Sequence, residues 1–151
     1  MKKKSGQTKK KTNRKSLWGK KKVFIIETPP YRYHCVVVLN GQFEDSIPVL
    51  KKHFASSVIE YIGSHPELYD DDYTICSGSG RLYTSIPGVY VMLISHEHDW
   101  RDSVGVISHE TVHLASCVLR NAGIEHTEHT EEAYTYLQQK LLTTILYKMY
   151  P

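Results

Sequence analysis

Long apolar runs are missing from this sequence, and cysteine is scarce. A membrane-spanning helix needs about 20 mostly apolar residues, so no membrane association is predicted. No apolar segment follows the N-terminal lysines, so no secretory signal is predicted and we expect a cytoplasmic protein. The cysteines are odd in number and far apart, which excludes a disulfide framework and a paired-cysteine zinc site. They are Cys35, Cys76 and Cys117.

A phosphate-binding loop is also missing, because the one glycine-rich stretch, residues 77–80, lacks the required lysine. Charge, in contrast, is present but unevenly distributed. Residues 1–22 hold 11 of the 19 lysines and arginines, which leaves residues 23–151 with a net charge of −8. Residues 1–22 also contain too few apolar groups to fold, so we expect a disordered basic tail. Such a tail either binds nucleic acid non-specifically or only keeps the protein in solution.

Residues 23–151 have the length of one domain, and their apolar pattern predicts an α+β fold. We expect a small, mostly antiparallel sheet packed against two or three helices. Strands are predicted at 23–26, 31–39, 73–76, 81–85 and 88–95. One helix should carry the apolar residues Ile47, Leu50, Phe54, Val58, Tyr61 and Ile62. A second helix should begin at Asp102 or Ser103 and end near Gly123, and a third should run from Thr130 to about Met149.

The second predicted helix contains the motif HETVH, at residues 109–113. His109 and His113 share one helix face, so both can bind one zinc ion through their ring nitrogens. Glu110 is then placed to take a proton from the water on that metal. The flanking residues are apolar on nearly every side, so we expect this helix and its three polar groups to be buried.

A catalytic zinc needs one more protein ligand and an open position for water. The candidates follow the motif helix, and we expect Glu132 to be that ligand. The last helix should bury the stripe Ala133, Leu137, Leu141, Ile145 and Met149, and Glu132 and Tyr136 lie beside it. Glu131 should point to the wetter side, with Tyr134, Thr135 and Gln138. Other candidates for the third ligand that stay open are Glu131, Glu128, His126 and His129. His96 and His98 are interpreted as part of a polar loop.

HETVH followed by a glycine-terminated turn and EEAYTYL (131–137) resembles the gluzincin metallopeptidases. The arrangement is similar to that of small bacteriophage-encoded metallopeptidases and, more distantly, of the ImmA/IrrE type. The resemblance covers roughly residues 88–149. It implies a minimal zincin-like fold, a bacterial host cytoplasm, zinc bound by His109, His113 and Glu132, and Glu110 as general base. It also implies that Tyr136, or a nearby histidine, supports the oxyanion and that strand 88–95 pairs with an extended peptide.

The sequence therefore predicts zinc-dependent hydrolysis of peptide bonds. A second hypothesis belongs to another class of protein. The same domain would hold zinc only as a structural element, in a nucleic-acid-binding or virion-associated protein. Peptide turnover separates the two hypotheses, because both include the metal.

Overall fold

The computed structural model describes residues 20–69, 80–95 and 100–150. This part of the chain forms an α+β domain around one mixed sheet, with strand order β1-β2-β4-β3. Strand β1 pairs with β2 antiparallel, β2 with β4 parallel, and β4 with β3 antiparallel. The strands are β1 (Lys22–Glu27), β2 (His34–Leu39), β3 (Gly80–Tyr83) and β4 (Val89–Ile94). The predicted strand at 73–76 lies outside the described residues.

Strand β4 is buried along its whole length and β2 is buried after its first residue, because helices cover both faces of the sheet. Alternate side chains enter two separate cores, as the two-residue period of a strand requires. Cys35, Val37 and Met92 point into the core beneath the last two helices. Val36, Val38 and Val91 point into the core beneath the first two helices. This arrangement explains why both strands read as continuous apolar runs rather than as alternating patterns.

Four α-helices lie in the described part of the chain: α1 (Ile47–His53), α2 (Ser56–Gly63), α3 (Trp100–Asn121) and α4 (Glu131–Met149). None of these helices combines the length and apolar character that crossing a membrane requires. The single helix predicted over Ile47–Ile62 is wrong, because the backbone of Phe54 is extended and separates α1 from α2. Ser56 and Ser57 follow this break directly, and serine favours helix starts over helix interiors.

The connection between α3 and α4 follows the sequence prediction closely. Gly123 has a φ of +77°, and its N–H donates to the carbonyl of Arg120. The N–H of Ile124 donates to the carbonyl of Leu119, which completes a left-handed helix cap. Residue Thr130 then precedes α4. The cap fixes the direction in which the chain leaves the motif helix.

The central position of β4 contradicts the peptide-binding role that the resemblance implied for residues 88–95. Both edges of β4 are paired, one with β2 and the other with β3. The pairing with β2 covers residues 89–94 of β4 and the pairing with β3 covers residues 91–94, so most of its main chain is already engaged within the sheet. Among the described strands, only β1 and β3 stand at the edges of the sheet.

The folded domain begins slightly earlier than the sequence predicted. Lys22 is already part of β1, opposite Leu39, and the ammonium of Lys21 lies 2.7 Å from Asp45. We therefore expect deletion of residues 2–19 to leave the free energy of unfolding within about 0.5 kcal/mol of the full chain.

Extending that deletion to residues 2–22 should cost up to about 1 kcal/mol more, because it removes a strand residue and an exposed ion pair. Urea denaturation of both truncated chains measures this difference. Any salt-sensitive binding of the full chain to RNA should be weaker in both. If the chain that lacks residues 2–19 fails to fold, the prediction that these residues are a disordered tail is wrong.

Candidate metal centre

Helix α3 brings the two motif histidines together on one turn. The Nε2 atoms of His109 and His113 are 3.0 Å apart, and their rings meet edge to face with centroids 4.7 Å apart. Two nitrogens bound to one tetrahedral zinc at about 2.0–2.1 Å would lie roughly 3.3 Å from each other. The pair thus fits two adjacent corners of a zinc coordination sphere.

Both histidines are exposed, which contradicts the expectation that α3 is buried on every side. Val112, between them on the same face, is 50% exposed. The buried side of α3 is formed instead by Ile107, Leu114, Ala115, Val118 and Leu119. Helix α3 is therefore amphipathic, and the histidine nitrogens are accessible from solvent.

Unlike the two histidines, Glu110 is buried, with 5% of its surface exposed. Burial raises the pKa of its carboxyl above the ordinary value, while the charges of His109 and His113 lower it. The side chain lies against Gly80, the first residue of edge strand β3. A Cβ atom added to Gly80 would come within 2.5 Å of the Glu110 Cγ and 2.8 Å of its Oε1. Glycine at position 80 therefore makes room for this carboxylate.

Gly80→Ala should displace the Glu110 side chain from its present position. Because a buried neighbour must move, we expect a loss of about 1–3 kcal/mol in the free energy of unfolding. Thermal and urea denaturation measure it. In a Glu110→Ala background the loss should largely disappear, which identifies the contact responsible.

Gly105→Ala is the matched control, because no atom outside its own helix lies within 4 Å of the added methyl group. It should stabilise α3 by roughly 0.5–1 kcal/mol. Equal effects of Gly80→Ala with and without the Glu110 side chain would exclude the contact.

Helix α4 contacts α3 through Gln138, which the sequence predicts on the solvent-facing side of α4. The Nε2 of Gln138 lies 3.4 Å from Ser108 Oγ and 3.3 Å from Thr111 Oγ1. The buried stripe of α4 contains Tyr134 rather than Ala133, and the Tyr134 hydroxyl donates to the carbonyl of Ile124. The other four predicted positions, Leu137, Leu141, Ile145 and Met149, are buried, so the predicted stripe is wrong only in the first turn of α4. The Gln138 contact ties α4 to the turn that carries His109 and Glu110.

The acidic residues at the start of α4 do not join the histidine pair. Glu131 and Glu132 are both exposed. Glu132 and Tyr136 line a groove against the loop after β1, and Tyr136 is 69% exposed. The other candidates also lie in this segment: Glu128, His126 and His129 are exposed, and His126 packs edge to face on Tyr134.

No group of three or more His, Cys, Asp or Glu side chains that could hold a metal occurs within residues 20–69, 80–95 and 100–150. The histidine pair by itself fits zinc, and Glu132 as third ligand stays a prediction. His96 and His98 lie outside the described residues.

No protein-family model matches this chain, and searches of curated proteins and of solved structures return no match. The functional argument therefore rests on the residues of the site.

Proposed function

We propose that this protein hydrolyses peptide bonds with a zinc ion held by His109 and His113. The observation that carries the proposal is the convergence of their Nε2 atoms, 3.0 Å apart, on the helical turn that also carries Glu110. Two histidines that bind zinc and an adjacent glutamate that acts as general base, all on one helical turn, are the arrangement of HExxH zinc hydrolases. The exposure of both histidines favours a catalytic centre, because structural zinc sites are closed and catalytic sites keep an open position.

Zinc in such a site supplies Lewis acidity, which lowers the pKa of a water molecule and polarises a carbonyl group. The Glu110 carboxylate accepts a proton from the attacking water molecule and later donates it to the leaving amine. Burial raises the pKa of Glu110. A general base and acid works best when its pKa is close to the operating pH, so this shift favours proton transfer near neutral pH. The nearby contact between Gln138 and Thr111 holds the turn against α4 while the proton moves.

The substrate class follows from the position of β3. This strand is at the edge of the sheet among the described strands, and α3 packs against it. An extended peptide that adds to a sheet edge gains main-chain hydrogen bonds without requiring a particular sequence. Because Gly80 of β3 touches the Glu110 side chain, a peptide on that edge would run close to the general base.

The proposal is tested by metal analysis and a cleavage screen on the same preparation. We expect about one zinc per chain and cleavage of a proteome-derived peptide library. Removal of zinc with a chelator should stop cleavage, and added zinc should restore it. One zinc per chain with no cleavage in the library would favour the structural-zinc hypothesis instead.

A further inference from the structure

A groove of about 480 Å³ lies between the loop after β1 and the first half of α4. Ala133 and Leu137 of α4 line it, together with Tyr31 from the loop and Tyr136 from the helix. Binding sites for small ligands typically have volumes of roughly 300–1,000 Å³, mostly apolar walls and a few polar groups. This groove has that size and composition.

Two opposite charges line the groove at separate positions along α4. Glu132 is in the first turn of α4, and Lys140 follows eight residues later. Eight helical residues span about 12 Å along the helix axis. Both side chains are exposed, and neither forms an ion pair with another residue in the described part of the chain. A ligand with a cation at one end and an anion at the other matches this pattern.

We propose that the groove binds a short peptide of two or three residues with both termini free. Its ammonium group contacts the Glu132 carboxylate, and its carboxylate contacts the Lys140 ammonium. An extended peptide rises about 3.3 Å per residue, so two or three residues place their terminal charges within reach of both side chains. An apolar peptide side chain packs between Tyr31 and Tyr136, above Leu137.

This site is separate from the proposed metal centre, because His109, Glu110 and His113 do not line the groove. Peptide binding there requires neither zinc nor turnover. It gives Glu132 a role in binding a ligand amine, which is an alternative to the metal-ligand role that the sequence predicts.

The probe is the tripeptide Ala-Leu-Ala, titrated into the full-length protein. Binding is followed by NMR from the backbone amides of Ala133 and Leu137, and mass spectrometry verifies that the peptide stays intact. Acetylation of the peptide N-terminus or amidation of its C-terminus should each weaken binding about fivefold, the size of an exposed ion pair. Equal affinity of the free and the doubly capped peptide would overturn the proposal.

Two variants test which side chain contacts which terminus of the peptide. Glu132→Gln should weaken binding of the free peptide about fivefold and leave the acetylated peptide unaffected. Lys140→Gln should weaken binding of the free peptide about fivefold and leave binding of the amidated peptide unaffected. The matched controls Glu131→Gln and Lys148→Gln remove exposed charges of α4 outside the groove and should change nothing. Control effects as large as those of the groove variants would overturn the proposal. So would loss of zinc from Glu132→Gln, which would return this carboxylate to the metal centre.

Discussion

Glu110→Gln should retain zinc and lose peptide hydrolysis by about 10²–10⁴-fold, the usual contribution of a general base. The amide has nearly the same shape as the carboxylate, so the fold and the histidine pair should be preserved. It cannot accept a proton from water at neutral pH. Zinc content and cleavage of a defined peptide substrate, measured on one preparation, check both parts.

A second property of the same variant tests the environment of Glu110. Because burial raises the pKa of this carboxyl in the folded state, ionisation disfavours the fold. The metal-free protein should lose this part of its stability as the pH rises from the ordinary pKa of Glu through the raised one. Glu110→Gln does not ionise, so it should melt at a higher temperature than the wild type at pH 7.5. The difference should vanish below the ordinary pKa of Glu.

Two outcomes would contradict this account. If Glu110→Gln loses zinc, Glu110 is a metal ligand, and the structural-zinc hypothesis becomes the better one. If the variant cleaves peptides at the wild-type rate, the base lies elsewhere. Glu131→Gln is the control, because it removes an exposed carboxylate that lies outside the motif.

His113→Ala should abolish stoichiometric zinc binding, and His109→Ala should do the same. Each removes one of two nitrogens that converge at 3.0 Å, and a single imidazole cannot chelate the ion. Hydrolysis should fall at least as far as it does in Glu110→Gln. Metal analysis after dialysis against a weak chelator measures the loss.

Zinc affinity should also decrease with acid, because protonated imidazoles do not bind metal. His53→Ala is the matched control, since this exposed histidine ends α1, which packs on the opposite face of the sheet from α3. Stoichiometric zinc in a variant that lacks both His109 and His113 would place the metal site at other residues.

Much of the fold follows from the sequence, because its signals are local. The apolar runs of β2 and β4 and the glycine cap after α3 each depend on residues close together in the chain. The α+β class is therefore confirmed. The break between α1 and α2 was missed because both helices continue one apolar period, and only Ser56 and Ser57 indicate it.

The site was predicted less completely, because its members come from different elements. HETVH identifies one turn of α3 and its chemistry, but it does not reveal which face of the helix is exposed. Gly80 and Gln138 touch this turn from β3 and α4, and only the tertiary packing brings them there. The buried stripe of α4 is predicted correctly from Leu137 to Met149, but in the first turn periodicity does not distinguish Ala133 from its neighbour Tyr134, which is the buried residue.

The parallel pairing of β2 with β4 has a consequence for how the chain folds. These central strands are neighbours in space, although their pairing joins His34 to Val89 and Leu39 to Ile94. Contacts so distant in sequence require a large loop to close, and such topologies fold slowly. During synthesis, β2 remains without its central partner until β4 has emerged from the ribosome. The apolar segment Cys35–Leu39 is meanwhile available for aggregation, which makes the nascent chain a candidate client of chaperones.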